Sequence, residues 1–206
     1  MGFYPLLIDL QGLPCLVAGG GALAKHKVEL LVGQGADVTV VAPEISPEIR
    51  ALPVAAAERR VRAEDAAGKA LVVDATGDAD AERLLREACR RMHIPFNSAC
   101  RGEACTAIFP AVYTSGRTVV AVSSRGASPA ASAWLRDTLA AHVPARMDEI
   151  LAQMEQLRSV SRALSPDQRR RRRFLRRCLD RMLALGRPLS ADELEEEKRR
   201  TEEENA

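Results

Sequence analysis

Apolar residues first gather in a short run, Pro14-Cys-Leu-Val-Ala18, which ends in Gly19-Gly-Gly21, and then recur at Leu23, Val28, Leu30, Leu31 and Val32. A continuous apolar run suits a buried strand and the wider spacing suits a helix, so this stretch predicts strand, glycine turn, helix. Gly33 and Gly35 punctuate the helix end, and Asp37-Val-Thr-Val-Val-Ala42 predicts a second strand closed by Pro43. The pattern repeats more loosely: Ala70 to Ala75 predicts a third strand, Asp80 to Met92 a helix, and Ile94-Pro-Phe-Asn97 a short fourth strand. Strands alternating with helices favour an α/β fold in which helices cover both faces of a parallel sheet. Thr106 to Pro110 and Arg117 to Val122 add extended segments around a turn at Ser115-Gly116. Ser128-Pro129 then supplies an N-cap and a proline for the first position of a helix whose apolar side is Trp134, Leu135, Leu139 and Val143.

Charge divides the chain. Residues 1–144 are neutral overall, residues 145–187 hold 12 basic against 5 acidic side chains, and residues 188–206 hold 3 against 8. The β-branched runs stop at the same place, so Pro144 marks a boundary. The run Arg169 to Arg173 is continued by Arg176, Arg177 and Arg181 and would suit nucleic acid, but Phe174, Leu175, Cys178, Leu179, Met182 and Leu183 alternate with it as one face of an amphipathic helix. With seven aromatic residues in the chain no stacking platform for bases emerges. The acidic stretch after Leu194 has almost no apolar residue and predicts a tail that is either disordered or a fraying helix. Five scattered cysteines without a CxxC or a partnering histidine predict reduced thiols and no metal site. No apolar run approaches the roughly 20 residues that span a bilayer. The N-terminus lacks the pattern of a secretory signal, which predicts a cytoplasmic protein without membrane contact.

Gly19-x-Gly21-x-x-Ala24 fits the G-x-G-x-x-G/A pattern, in the strand-to-helix setting that raises it above chance. Gly19 permits a tight turn, Gly21 lets the backbone approach a pyrophosphate, and Ala24 lets the helix pack closely on the strand. The free N–H groups and partial positive charge of the helix N-terminus would then hold phosphates. The acidic residue that ordinarily ends the second strand and binds the ribose hydroxyls is missing, for the strand ends Val41-Ala42-Pro43 with Glu44 following. Either Glu44 or the backbone at Pro43 takes that part, or the choice of NAD over NADP is less strictly enforced.

Taken in order from residue 4 to about 185, several segments resemble the precorrin-2 dehydrogenase module of siroheme biosynthesis. They are Tyr4 to Leu10, Val17 to Gly21 with Ala24-Lys-His-Lys27, Val38 to Pro43, Asp74-Ala-Thr76, Ile94 to Asn97, Ile108-Phe-Pro110, Val120 to Pro129 and Arg171 to Phe174. The resemblance implies a Rossmann-type NAD-binding domain over 1–112, a dimerisation and substrate-pocket region over 113–144 and a small helical domain over 145–188, before the acidic tail 189–206. It implies NAD-dependent oxidation of precorrin-2 to sirohydrochlorin by a homodimer, with iron insertion added in some members. It assigns Gly19, Gly21, Ala22 and Leu23 to the pyrophosphate turn, Pro43 and Glu44 to the contact after the second strand, and Thr76 to the strand end beside the nicotinamide. Asn97, Ser124 and Ser128 fall to the tetrapyrrole.

One departure matters. Where the family commonly reads Asn-x-x-Asp, with the aspartate doing acid/base work, this chain reads Asn97-Ser-Ala-Cys100. A thiol is a poorer proton acceptor at neutral pH than a carboxylate, and Glu103, three residues on, is the carboxylate at hand. The departure leaves open a dehydrogenase, a bifunctional dehydrogenase and ferrochelatase, and a tetrapyrrole-binding protein without catalysis.

Overall fold

The structure, a computed structural model, describes residues 2–203. One compact unit ends at Phe109 and a second begins at Pro110.

In the first unit five strands form one parallel sheet in the order β3-β2-β1-β4-β5. They are β1 (Pro14–Ala18), β2 (Asp37–Ala42), β3 (Ala55–Glu58), β4 (Leu71–Asp74) and β5 (Phe96–Ser98). Helices α1 (Ala22–Gly33), α2 (Pro47–Arg50) and α3 (Ala79–Met92) make the connections. This is the Rossmann-type α/β architecture. The central strand β1 pairs on both sides, Cys15 with Val38 and Leu71, and Ala18 with Val41 and Asp74. Because side chains alternate across a strand, Cys15 and Val17 join Ala24, Val28 and Leu31 of α1 on one face, while Leu16 and Ala18 join Leu85, Ala88 and Cys89 of α3 on the other.

Two differences from the expected pattern have physical causes. Strand β3, Ala-Ala-Ala-Glu, carries no β-branched residue and is invisible to propensity; it forms because β2 offers an unpaired edge, with Thr39 opposite Ala55. Thr106 to Pro110, expected to be extended, is an irregular loop folded back on β5: the N–H groups of Thr106 and Ala107 both donate to the Phe96 carbonyl at 2.9 Å.

The second unit opens with the antiparallel hairpin of β6 (Ala111–Ser115) and β7 (Thr118–Val122), against which α4 (Pro129–Ala140) packs. The Ser128 cap and Pro129 at the first turn fall where the sequence places them. The apolar side of α4 faces outward, with Trp134 66% exposed and Leu135 and Leu139 exposed as well. Helices α5 (Met147–Leu164), α6 (Gln168–Leu185) and α7 (Ala191–Glu203) enclose a second core of Ile150, Leu157, Phe174, Cys178, Met182 and Leu189. The hairpin is tied to α5, since Arg117 donates its N–H to Asp148 (2.8 Å) and its guanidinium to Glu155 (3.0 Å).

Of the two expectations for the acidic tail, the disordered one is corrected: as far as the described residues reach, that segment is helix α7. Glu197 is buried against Arg177 (3.1 Å) and Arg181 (3.2 Å), and Arg177 also donates to Thr201 at 2.6 Å. The arginines of α6 convert a stretch too polar to build its own core into the third helix of a bundle. Residues 204–206 lie outside the described residues. Among those described, no helix is long and apolar enough to cross a membrane.

Candidate functional site

The turn between β1 and α1 is built by three glycines with three different duties. Gly19 is buried with φ +125°, a conformation side chains rarely adopt, and a Cβ there would lie 2.5 Å from the Ala75 carbonyl oxygen. Gly20, to which the fingerprint gives no part, packs against the Glu44 carbonyl so closely that any Cβ would collide with that backbone. Hydrogen bonds from Gly19 N–H to the Val41 carbonyl and from Ser46 N–H to the Gly20 carbonyl, both 3.0 Å, stitch the turn to the end of β2. Gly21 is the opposite case: it is exposed, its backbone is ordinary (φ −94°, ψ −168°), and a Cβ would meet nothing within 4 Å.

Gly21 is also the N-cap of α1, without any side-chain cap and without an acidic residue in the first turn. Unclaimed N–H groups at the positive end of the helix dipole therefore face open space, which is what a pyrophosphate requires. Ala22 and Leu23 are exposed on this first turn, while Ala24 is fully buried in the core against β1, where a larger side chain would push the helix off the sheet. The glycine and alanine positions named from the sequence thus come together as one cradle, and their geometry fits a dinucleotide.

Beside it, at the C-terminal ends of β2, β3 and β4, lies a cleft of about 630 Å³ lined by Val41, Pro43, Arg60, Val61, Thr76 and Asp78, with one side of α3 closing it. Pro43 and Thr76 meet there, but Glu44 does not line it. Thr76 donates its hydroxyl to Asp74 Oδ1 at 2.7 Å, and its N–H reaches the same oxygen at 3.2 Å. Asp74 is buried at the end of β4; burial pushes its carboxyl above the ordinary range, with the Thr76 bonds pulling the other way. Sequence reasoning gives no part to Gly20 or Arg60, and Asp74 enters it only as the first residue of the Asp74-Ala-Thr76 segment, without a role. The one visible signal is that three successive glycines exceed the two the fingerprint needs.

The loop after β5 holds the remaining candidates of this unit. Asn97 is buried and donates through Nδ2 to the Ala107 carbonyl (2.9 Å) and to Cys105 Sγ (3.5 Å), while its Oδ1 has no partner. Cys105, one of the five cysteines expected to be reduced thiols, organises the loop: it accepts from Ser98 N–H at 3.1 Å and donates back to the Ser98 carbonyl at 3.4 Å. Burial raises its pKa. Burial likewise lowers that of Lys27, whose ammonium lies 4.3 Å from the centre of the Phe109 ring. Cys100 and Glu103 are both exposed. Arg101 between them is anchored to the buried Glu82 at 3.4 Å and donates its N–H to Ser98 Oγ at 3.2 Å, so the segment that displays them is braced against α3. Among the described residues no group of three or more potential ligands could hold a metal.

Ser124 and Ser128 belong to the second unit, and their polar groups are engaged locally. Ser124 Oγ donates to the Ser128 carbonyl (3.0 Å) and accepts from Ser128 N–H (2.9 Å), while Ser128 Oγ caps α4 through Ala131 N–H (3.1 Å). Their direct role is to shape this turn, in which Arg125 takes φ +56°.

A parallel sheet in this order, with an uncapped helix behind a glycine turn at its C-terminal edge, defines a dinucleotide-binding Rossmann protein. Residues 6–111 match the family described as "Putative NAD(P)-binding", and the chain belongs to that family. It is 36% identical over 184 residues to the siroheme synthase of Thioalkalivibrio sulfidiphilus, covering 87% of this chain and 38% of the relative. It is 35% identical over 207 residues to that of Pseudomonas paraeruginosa, covering 96% and 44% respectively. The chain therefore spans about two fifths of the length of the curated relatives it matches. Among solved structures, "SirC, precorrin-2 dehydrogenase" superposes with a TM-score of 0.65 at 25% identity, over 98% of this chain and 100% of that one.

Proposed function

We propose that the chain is an NAD-dependent dehydrogenase that converts precorrin-2 to sirohydrochlorin. The observation that carries this reading is the Gly19 to Gly21 cradle opening on an uncapped α1, in a chain that matches a precorrin-2 dehydrogenase over nearly its whole length. NAD⁺, when bound, supplies the acceptor for a hydride, two electrons and one proton, and the second hydrogen leaves the substrate as a proton.

The protein's own part is to bind, to orient and to take up that proton. The α1 N–H groups neutralise the pyrophosphate, and Gly21, lacking a side chain, lets the backbone reach it. Asn97 positions the substrate end of the site from β5. Of the exposed groups on the braced loop, the Glu103 carboxylate is the better proton acceptor and the Cys100 thiol the poorer. Hydride transfer depends chiefly on orientation and on electrostatics fixed in advance, so the absence of an aspartate at position 100 is compatible with turnover.

We further propose a homodimer formed through the region 113–144, supported by the exposed apolar residues Trp134, Leu135 and Leu139 of α4 and Val119 of β7. Anaerobic spectrophotometry with freshly generated precorrin-2 and NAD⁺, following NADH and sirohydrochlorin together, tests the activity. Appearance of both in equal amounts supports it; tetrapyrrole binding without NADH formation overturns it in favour of a binding protein. Sedimentation velocity of the wild type and of Trp134→Glu tests the dimer, which the substitution is expected to dissociate.

A further inference from the structure

We infer that Arg60 reads the adenosine ribose of the cofactor, and that the site accordingly takes NADP(H) as well as NAD(H). The inference rests on the cofactor reading above and deepens it.

The starting observation is what ends β2. A site that enforces NAD places a carboxylate there, accepting hydrogen bonds from the ribose hydroxyls and repelling a 2′-phosphate. Here β2 ends at Ala42, Pro43 follows, and Glu44 lies outside the cleft with its carbonyl wedged against Gly20.

The neighbouring strand fills the gap with the opposite charge. Ala42 stands beside Glu58 in the β2–β3 register, and Arg59 N–H donates to the Ala42 carbonyl at 3.0 Å, so residues 59 and 60 leave the sheet next to Pro43. Arg59 is committed to Asp65 through two bonds of 2.8 and 2.6 Å. Arg60 is not: its guanidinium makes no hydrogen bond or ion pair among the described residues, it is exposed, and it lines the cleft with Pro43.

The other charged residues of that lining are spoken for or carry the wrong sign. Arg83 is paired with Asp80 at 2.7 Å, and Asp78 Oδ1 accepts from Asp80 N–H at 2.9 Å as the cap of α3, which leaves Glu87 farther along the helix. An uncommitted guanidinium, planar and forked, is the group that suits a phosphate monoester.

Equilibrium titration tests this without turnover, by following the fluorescence of NADH and of NADPH on addition of wild-type protein, Arg60→Gln and Gly21→Asp. The wild type is expected to bind NADPH within about tenfold of NADH or more tightly. Arg60→Gln is expected to weaken NADPH by about tenfold or more, the size of a lost charge-assisted hydrogen bond, while NADH changes far less. Raising the salt concentration should erode NADPH binding to the wild type more than to the variant. Wild-type protein that binds NADH but excludes NADPH, or an Arg60→Gln variant that leaves the ratio unchanged, overturns the role of Arg60 and leaves the cofactor site standing. Failure of the wild type to bind either dinucleotide, or equal binding by Gly21→Asp, overturns the site itself and the inference with it.

Discussion

Helices α1 and α4 both follow a strand and a turn of small residues, yet their first turns are completed in opposite ways. At α1 the capping position is Gly21, which has no side chain to offer, and no acidic residue follows. At α4 Ser128 caps the helix, Pro129 removes one N–H, and the hydroxyls of Ser124 and Ser132 are spent within the same turn. The serine turn has answered its own hydrogen-bonding needs, whereas the glycine turn presents them to whatever arrives. Binding capacity at a helix N-terminus therefore depends on what the preceding residue leaves unsatisfied, and two turns that read alike as small and polar differ in function.

The harshest way to break the comparison is to remove the wedge that aims the glycine turn. Gly20→Val would drive a side chain into the Glu44 backbone and is expected to lower stability by about 3 kcal/mol or more, read by urea unfolding. A variant as stable as the parent would mean the turn is not seated on β2 as described. Gly21→Asp sharpens the contrast from the other side. Its side chain enters open space and an acid suits a helix N-terminus, so stability should hold, while NADH affinity should fall by about a hundredfold through lost backbone contacts and charge repulsion.

Ser128→Ala is the matching change at α4. It should cost about 1 kcal/mol of the second unit's stability, as cap deletions do, and leave NADH binding unaltered. The smallest expected effect is a difference in acid response. Burial raises the Asp74 carboxyl above its ordinary 3.8, so its contribution is present below that value and is lost as pH rises through the raised one. Arg187 holds Glu193 at about 2, below the ordinary 4.5, so its contribution is present above 4.5 and is lost as pH falls toward 2. Hydrogen exchange followed separately in the two units should show these opposite slopes, Asp74→Asn flattening the first and Glu193→Gln the second.

Much of the first unit can be read directly from the chain. The runs Pro14 to Ala18 and Asp37 to Ala42 are strands at those residues, because parallel strands buried on both faces must be apolar throughout. The fingerprint glycines lie at the turn they predict. Strand β3 was not legible, since alanines become a strand only when β2 supplies the pairing. Helix α7 was legible only as one of two alternatives, and its docking not at all, because its buried residues are Glu197 and Thr201, whose burial makes sense only once Arg177 and Arg181 stand opposite them.

The same division runs through the site. Local chemistry is written in neighbouring residues, so composition and spacing by themselves determined a parallel α/β sheet, its glycine turn, the missing carboxylate after β2 and the Ser128 cap. Long-range juxtaposition is not written there. Only the tertiary structure decided that Gly20 locks onto Glu44, that Arg60 stands beside Pro43, that Cys105 knits the loop after β5, and that an acidic tail is a helix. Each of these joins residues separated by a strand, a loop or a whole helix, and the free energy that favours the contact exists only after the chain has brought them together.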